Sequence, residues 1–428
     1  MLWSWCEREP MLTYSDRRDP ARATLRRTAI ARSASGLTLA LIAAGCTPGP
    51  AAADAILGPA PQQVKDVYLP NPPGVTLVPW VTGLEAPWSL VFLPDGRALV
   101  SERPGRIRLI ENGALRPEPY AVLDSSDGGG GLIGFAVRLA ASGEGGLMGL
   151  ALHPRFPAEP YVYAMHTYRA DGGTRNRVVR LKDEGRRASF DRVIVDGIPG
   201  AMFHNGGRIG FGPDGMLYIA TGEIFQQAIA RDVKSLGGKI LRVTPEGAIP
   251  PDNPFPGSPV WSYGHRNPQG IAWHPETREL FASEHGPSGE LAGQTAYDEV
   301  NVVRKGGNHG WPDAVGVSGR RDFVDPIVAW PEVTTPPSGI AFYRGDLYVA
   351  TLQSVALIRI GLRREGQGYA VERIERWFAS GAREGSLGRL RDVVAGPDGK
   401  LYILTNNRDG RGRPREGDDK IIRLDIGG

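Results

Sequence analysis

Ile209-Gly-Phe-Gly-Pro-Asp-Gly-Met-Leu-Tyr-Ile-Ala220 decides the fold: an apolar strand, a Pro-Asp-Gly turn, then a second apolar strand. Proline presets φ for such a turn and glycine tolerates positive φ. Five other segments share the pattern. They are Leu90-Val-Phe-Leu-Pro-Asp-Gly-Arg-Ala-Leu-Val100, Gly149-Leu-Ala-Leu-His-Pro154 with Tyr161-Val-Tyr163, Ile271-Ala-Trp-His-Pro-Glu-Thr-Arg-Glu-Leu-Phe281, Ile340-Ala-Phe-Tyr-Arg-Gly-Asp-Leu-Tyr-Val349 and Val393-Val-Ala-Gly-Pro-Asp-Gly-Lys-Leu-Tyr-Ile403. The turn prolines fall at 94, 154, 213, 275 and 397, with Arg344-Gly345 in the sixth place, a spacing of about sixty residues.

Each unit continues into an alternating stretch: Arg106–Ile110, Arg177–Leu181, Lys239–Val243, Glu299–Val303, Ala356–Ile360 and Lys420–Leu424. Period-two alternation marks a half-buried strand. Repeated units of short strands, each hiding a face against its neighbour, make a β-propeller. Six repeats predict an all-β fold of six blades, each a four-stranded antiparallel sheet. A two-domain β-sandwich is the competing architecture. In a propeller the functional residues sit on loops that converge at one mouth of the central channel, so they are scattered in sequence.

Composition agrees. Of 428 residues, 58 are glycine and 36 proline, about 22% together against a usual ~12%, which excludes a coiled coil or helical bundle. The net charge of +3 belongs entirely to residues 1–46, with seven arginines and four acids, while the remaining 43 basic and 43 acidic side chains cancel. A neutral body gives no case for a nucleic-acid surface. Residues 22–46 read as an export leader: arginines, the apolar stretch Gly36–Ala44, then Gly45-Cys46. That stretch is far shorter than the ~20 residues of a membrane span. Ala43-Ala44-Gly45-Cys46 resembles a lipobox that would anchor lipid at Cys46; an ordinary secretory cut is the alternative. Both place the protein in the periplasm or otherwise outside the cytoplasm. Cys6 and Cys46 are the only cysteines, so the domain holds no disulfide. The expected organisation is a leader at 1–46, a Pro/Ala-rich tether at 47–75 and a propeller at 76–428.

Familiar local motifs are absent: no His-Glu-x-x-His, no Walker loop, no Gly-x-Ser-x-Gly. Gly129–Gly134 satisfies Gly-x-Gly-x-x-Gly but lacks a following helix pattern, so it reads as a loop. The informative segments are loops: His204-Asn-Gly-Gly-Arg208, Ser262-Tyr-Gly-His-Arg-Asn-Pro-Gln-Gly270, Glu284-His-Gly-Pro-Ser288, Lys305-Gly-Gly-Asn-His-Gly-Trp-Pro312 and Leu387-Gly-Arg-Leu-Arg-Asp392. A cleft histidine can take a proton near neutral pH, and arginines can clamp carboxylates or a developing oxyanion. Carbonyl oxygens in a Gly-Pro turn can hold Ca²⁺. His153 and His274 occupy equivalent His-Pro turns and read as structural, His166 as packing or surface, and Asp298-Glu299 as a surface acid pair.

These segments, in this order from about Thr82 to Leu424, resemble the soluble quinoprotein sugar dehydrogenases, which use pyrroloquinoline quinone (PQQ) and Ca²⁺ to oxidise glucose and other aldoses. The resemblance implies a six-bladed propeller, an aldose substrate and an external electron acceptor. It implies that His204 is the general base, with Glu223 orienting it, and that Arg266 stabilises charge on the quinone with Asn267 beside it. Gly286 and Pro287 would offer main-chain oxygens to Ca²⁺, and Arg389 and Arg391 would grip cofactor carboxylates. Two cofactor-pocket positions depart from the family pattern: Glu144 stands where glutamine is usual and Gln353 where lysine is usual. One adds a negative charge and the other removes a positive one, an expectation of weaker binding for a tricarboxylate. A metal-dependent lactonase and a non-catalytic binding propeller that has lost PQQ are the alternative functions.

Overall fold

The computed structural model describes residues 55–123, 143–170, 172–291 and 293–427. The leader, Cys46 and the glycine run at 128–131 lie outside them. Among the described residues no helix is long and apolar enough to cross a membrane.

Six four-stranded antiparallel units follow one another along the chain. Blade 1 comprises Pro87–Phe92, Ala98–Glu102, Arg106–Glu111 and Ala114–Val122, and blade 2 comprises Leu147–Leu152, Tyr161–Ala170, Gly173–Asp183 and Ala188–Pro199. Blade 3 is Ile209–Phe211, Leu217–Thr221, Lys239–Val243 and Val260–Tyr263; blade 4 is Pro268–Trp273, Leu280–Glu284, Asp298–Val302 and Val328–Trp330. Blade 5 is Pro337–Tyr343, Asp346–Thr351, Leu357–Glu365 and Gly368–Trp377. Blade 6 runs Leu390–Ala395, Leu401–Thr405 and Ile421–Ile426, and its outermost strand, Val75–Val81, comes from the other end of the chain.

Every turn that marked a repeat joins the first and second strands of a blade. Gly96, Gly215 and Gly399 in the Pro-Asp-Gly turns take φ of +89°, +76° and +71°. Blade 5 makes the same connection with Arg344 and Gly345, both at positive φ (+48° and +84°), the backbone of a two-residue primed hairpin turn. The first strands surround a cavity of about 490 Å³ lined by residues 89–91, 150–152, 208–211, 271–273, 340–342 and 392–395, one segment from each blade.

No single core holds the domain. Six apolar clusters lie at the six seams between neighbouring blades. At the seam of blades 1 and 2, for example, Leu99, Ile107 and Leu109 pack with Leu147, Val162 and Val179, all essentially inaccessible. Each such side chain contributes about 1.5–3 kcal/mol by leaving water. Repetition thus lets a domain of this size bury its apolar surface in thin, local layers.

One boundary is corrected. The stretch from 55 to 75, read as part of a tether, is docked. Ile56–Leu57 pairs in parallel with Ala314–Val315, and Asp66–Leu69 adds a parallel fifth strand to blade 5 against Ile374–Trp377. Proline richness masked short edge strands there.

Candidate active site

The loops that enter the first strands gather at one end of the channel. His204 lies on the loop entering blade 3 and Glu223 just past that blade's second strand. The imidazole Nδ1 is 2.5 Å from Glu223 Oε1, with both side chains buried. A carboxylate facing Nδ1 fixes the proton there and leaves Nε2 with its lone pair free. The second Glu223 oxygen is buried without a partner among the described residues. Phe225 stacks on the imidazole with ring centroids 3.8 Å apart. His204 takes φ of +55°, and Gly222 fits beside it only because a β-carbon there would fall 1.9 Å from the His204 carbonyl oxygen.

Arg266 leads into blade 4. Its carbonyl accepts from Glu223 N–H at 2.9 Å, so the arginine and the dyad share one frame. The guanidinium is not free: Nε donates to Glu290 Oε1 at 2.6 Å and Nη2 to Ser288 Oγ at 3.0 Å. Asn267 accepts from Gly206 N–H at 2.9 Å, which braces the His204 loop. Beneath it Ser262 Oγ lies 2.8 Å from His265 Nε2, and His265 Nδ1 lies 2.8 Å from Glu284 Oε2. Burial pushes the Glu284 carboxyl up to about 8, against the pull of the Arg266 N–H it accepts. His285 is driven down to about 3 by burial, against the attraction of Glu144.

Gly286 sits in close-packed backbone, where a β-carbon would fall 2.1 Å from the Ala296 carbonyl oxygen. Its N–H donates to Asp298 Oδ1 at 3.0 Å, and Pro287 follows, buried. Asp298 and Glu299 are therefore not a surface pair. Asp298 also accepts from Thr335 N–H at 2.6 Å and Glu299 from Gly316 N–H at 2.9 Å. Burial raises Asp298 to about 6, and burial with the neighbouring Glu284 raises Glu299 to about 8. No group of three or more His, Cys, Asp or Glu is placed to hold a metal among the described residues; a cation at the Gly286-Pro287 turn would rest on neutral carbonyl oxygens, a donor type that suits Ca²⁺.

Arg389 stands just before the first strand of blade 6 and Arg391 on it. Arg389 donates to Asp409 through Nε (3.0 Å) and Nη2 (2.8 Å). Arg391 is buried; Nη1 donates to Gln269 at 2.6 Å, while Nε has no partner among the described residues. Burial depresses Arg391 to about 9, and the like charges of Arg389 and Arg103 add to the effect. A buried cation with an unsatisfied N–H, crowded by other arginines, is a seat for an anion.

Glu144, of blade 2, completes the group. Oε2 accepts from His204 N–H at 3.2 Å, and Oε1 pairs with Arg411 at 3.0 Å. Gln353 stands apart: it shares no hydrogen bond with these residues, and its amide oxygen, turned to suit its surroundings, accepts from Arg383 Nη2 at 2.7 Å. Glu290, Arg103, Asp409 and Arg411 were not legible as site residues. No motif flags them, because each joins the site through a contact between loops: Glu290 and Asp409 with the entry loops of their own blades, Arg103 and Arg411 with other blades. His153 and His274 cap their own turns: Nδ1 of His153 accepts from Arg155 N–H, and Nδ1 of His274 from Glu276 N–H, each at 3.2 Å. His166 is fully buried.

Comparison with known proteins identifies the family. An aldose sugar dehydrogenase of Escherichia coli is 32% identical over 361 residues, spanning 76% of this chain and 89% of its own. A quinoprotein glucose dehydrogenase of Acinetobacter calcoaceticus is 30% identical over 271 residues, 55% of this chain and 52% of its own. The PQQ-bound aldose sugar dehydrogenase of Streptomyces coelicolor superposes with a TM-score of 0.71 at 40% identity, covering 83% of this chain and all of that one. The family model for glucose/sorbosone dehydrogenases matches residues 84–422, almost the whole propeller, and the chain belongs to that family.

Proposed function

We propose that this protein is a PQQ-dependent aldose sugar dehydrogenase that oxidises the anomeric hydroxyl of an aldose to a lactone and passes the electrons to an external acceptor. The observation that carries the reading is the buried His204–Glu223 dyad, set in one loop cluster with Arg391, whose Nε is unsatisfied among the described residues. Arg391, Arg389 and Arg103 outweigh Asp409 in positive charge, which fits a polycarboxylate cofactor. PQQ, polarised by Ca²⁺, supplies a hydride acceptor when bound.

The chain's own residues supply the rest. His204 Nε2 takes the proton of the anomeric hydroxyl while Glu223 holds Nδ1–H and stabilises the imidazolium that results. Arg266, oriented by Glu290 and Ser288, presents a fixed positive charge to the reacting region. Gly286 and Pro287 would hold Ca²⁺ and Arg389 and Arg391 the cofactor carboxylates, with Asn267 keeping the His204 loop in place. Export through residues 1–46, with or without lipid at Cys46, belongs to the same proposal and is checked by sequencing the mature N-terminus.

Purified protein supplied with PQQ and Ca²⁺ is expected to reduce an electron-accepting dye on addition of an aldose. His204→Ala is expected to abolish that turnover while the PQQ absorbance stays with the protein. Turnover surviving in the variant would show the base to be elsewhere. No dye reduction and no cofactor binding by the wild type would leave a non-catalytic propeller.

A further inference from the structure

The loop between the second and third strands of blade 6, residues 406–420, leaves its own blade and reaches blades 2 and 3. Its course is held locally. Asp409 Oδ1 accepts from the N–H groups of Arg411 (2.9 Å) and Gly412 (3.1 Å), and Arg415 donates to the Gly385 carbonyl at 2.9 Å. From this frame Arg411 makes two contacts, and both lead to His204. Its Nη1 lies 3.0 Å from Glu144 Oε1, and the other oxygen of that carboxylate accepts the backbone N–H of His204. Its guanidinium also lies 4.9 Å from the centre of the Phe203 ring. Phe203 packs edge-on against Phe225 at 6.1 Å, and Phe225 stacks on the imidazole.

His204 needs such support. At φ +55° it occupies the left-handed region, which a side chain with a β-carbon adopts only when its surroundings impose it. Its backbone is gripped by Glu144 and its ring by Phe225, and one arginine from a blade on the far side of the ring closure secures both. We propose that Arg411 and Glu144 form a latch across blades 2, 3 and 6 that positions His204, making both of them positioning residues. The proposal rests on the dehydrogenase reading of the site. It also explains how the carboxylate at 144 is accommodated in an anion-binding pocket: its charge is matched by Arg411, and its second oxygen replaces what a neutral amide could offer the His204 N–H.

The test compares Arg411→Gln, Glu144→Gln, the double variant and Arg411→Lys. Each Gln variant is expected to lose about tenfold in kcat, because a small displacement of the base is costly, while KM for the sugar moves by less than about threefold. The double variant is expected to be no slower than the slower single, since both changes break one link. Arg411→Lys is expected to recover most of kcat. In the cofactor-free protein, amide hydrogen exchange of residues 201–207 is expected to quicken in Arg411→Gln and return toward the wild-type rate in Arg411→Lys. Unchanged exchange overturns the latch. So does a kcat within about twofold of wild type, or additive losses in the double variant. If wild-type protein neither binds PQQ nor oxidises a sugar, the dehydrogenase reading is what fails, and the exchange measurement still decides whether the latch holds the segment.

Discussion

His204 and Glu223 are nineteen residues apart and meet at 2.5 Å because Gly222 lets the chain turn tightly past the His204 carbonyl. The carboxylate selects one imidazole tautomer, and that selection is what makes the ring a base at Nε2. Glu223→Gln keeps the size but removes the fixed charge behind the proton. It is expected to lower kcat by on the order of 10²-fold or more while PQQ remains bound, as steady-state kinetics and cofactor absorbance would show. The dyad was legible from motif order and resemblance. The partners of Arg266 were not, since Glu290 looks like any loop acid until the turn at 287–290 carries it to the guanidinium.

At the scale of a strand, alternation told which stretches pair but not what each buried position costs. Tyr161–Ala170 is the second strand of blade 2, and its central residues are almost entirely inaccessible, His166 among them. Burial, with the nearby positive charge of Arg177, pushes His166 down to about 4, whereas an unfolded histidine titrates near ~6.5. Between those values the unfolded chain binds a proton that the folded chain refuses, so the residue destabilises the fold increasingly as pH falls through 6.5. His166→Leu removes that cost. Its melting temperature relative to wild type is expected to rise between pH 7 and pH 5; a constant difference would contradict the assignment. The docked strand Asp66–Leu69 belongs to this scale too. Its proline-rich flanks looked like a linker, and only the free edge of blade 5 gives it a partner.

At the scale of the whole ring, the blades are joined at the axis by a buried polar hub. Arg208 of the blade 3 entry pairs with Asp392 of blade 6 at 2.8 Å and donates to the Gln269 carbonyl of blade 4 at 3.0 Å. Asp392 also accepts from Leu90 N–H of blade 1. Such a pair stabilises little over apolar residues of matching shape, but losing one partner strands a charge. Asp392→Ala is expected to cost about 3–5 kcal/mol in denaturant unfolding, and Arg208→Met combined with Asp392→Leu to cost less than that single change. A double variant as unstable as the single would show that the hub acts through more than its charge balance.

The sequence by itself determined the strands, the six repeats and their turns, because those depend on residues close in the chain: an alternating apolar face, a proline and a glycine at fixed offsets. The dyad and the arginines were named only because their loop segments resemble those of the sugar dehydrogenases; no repeat position singles them out. Only the tertiary structure decided which carboxylate each arginine meets, how Val75–Val81 closes the ring against Ile421–Ile426, and that Glu144 is neutralised by Arg411. The ring closure and the Glu144–Arg411 pair join residues hundreds of positions apart, the Arg266–Glu290 and Arg389–Asp409 pairs residues 24 and 20 apart, and the energies of all of them come from burial and charge geometry that no local pattern encodes.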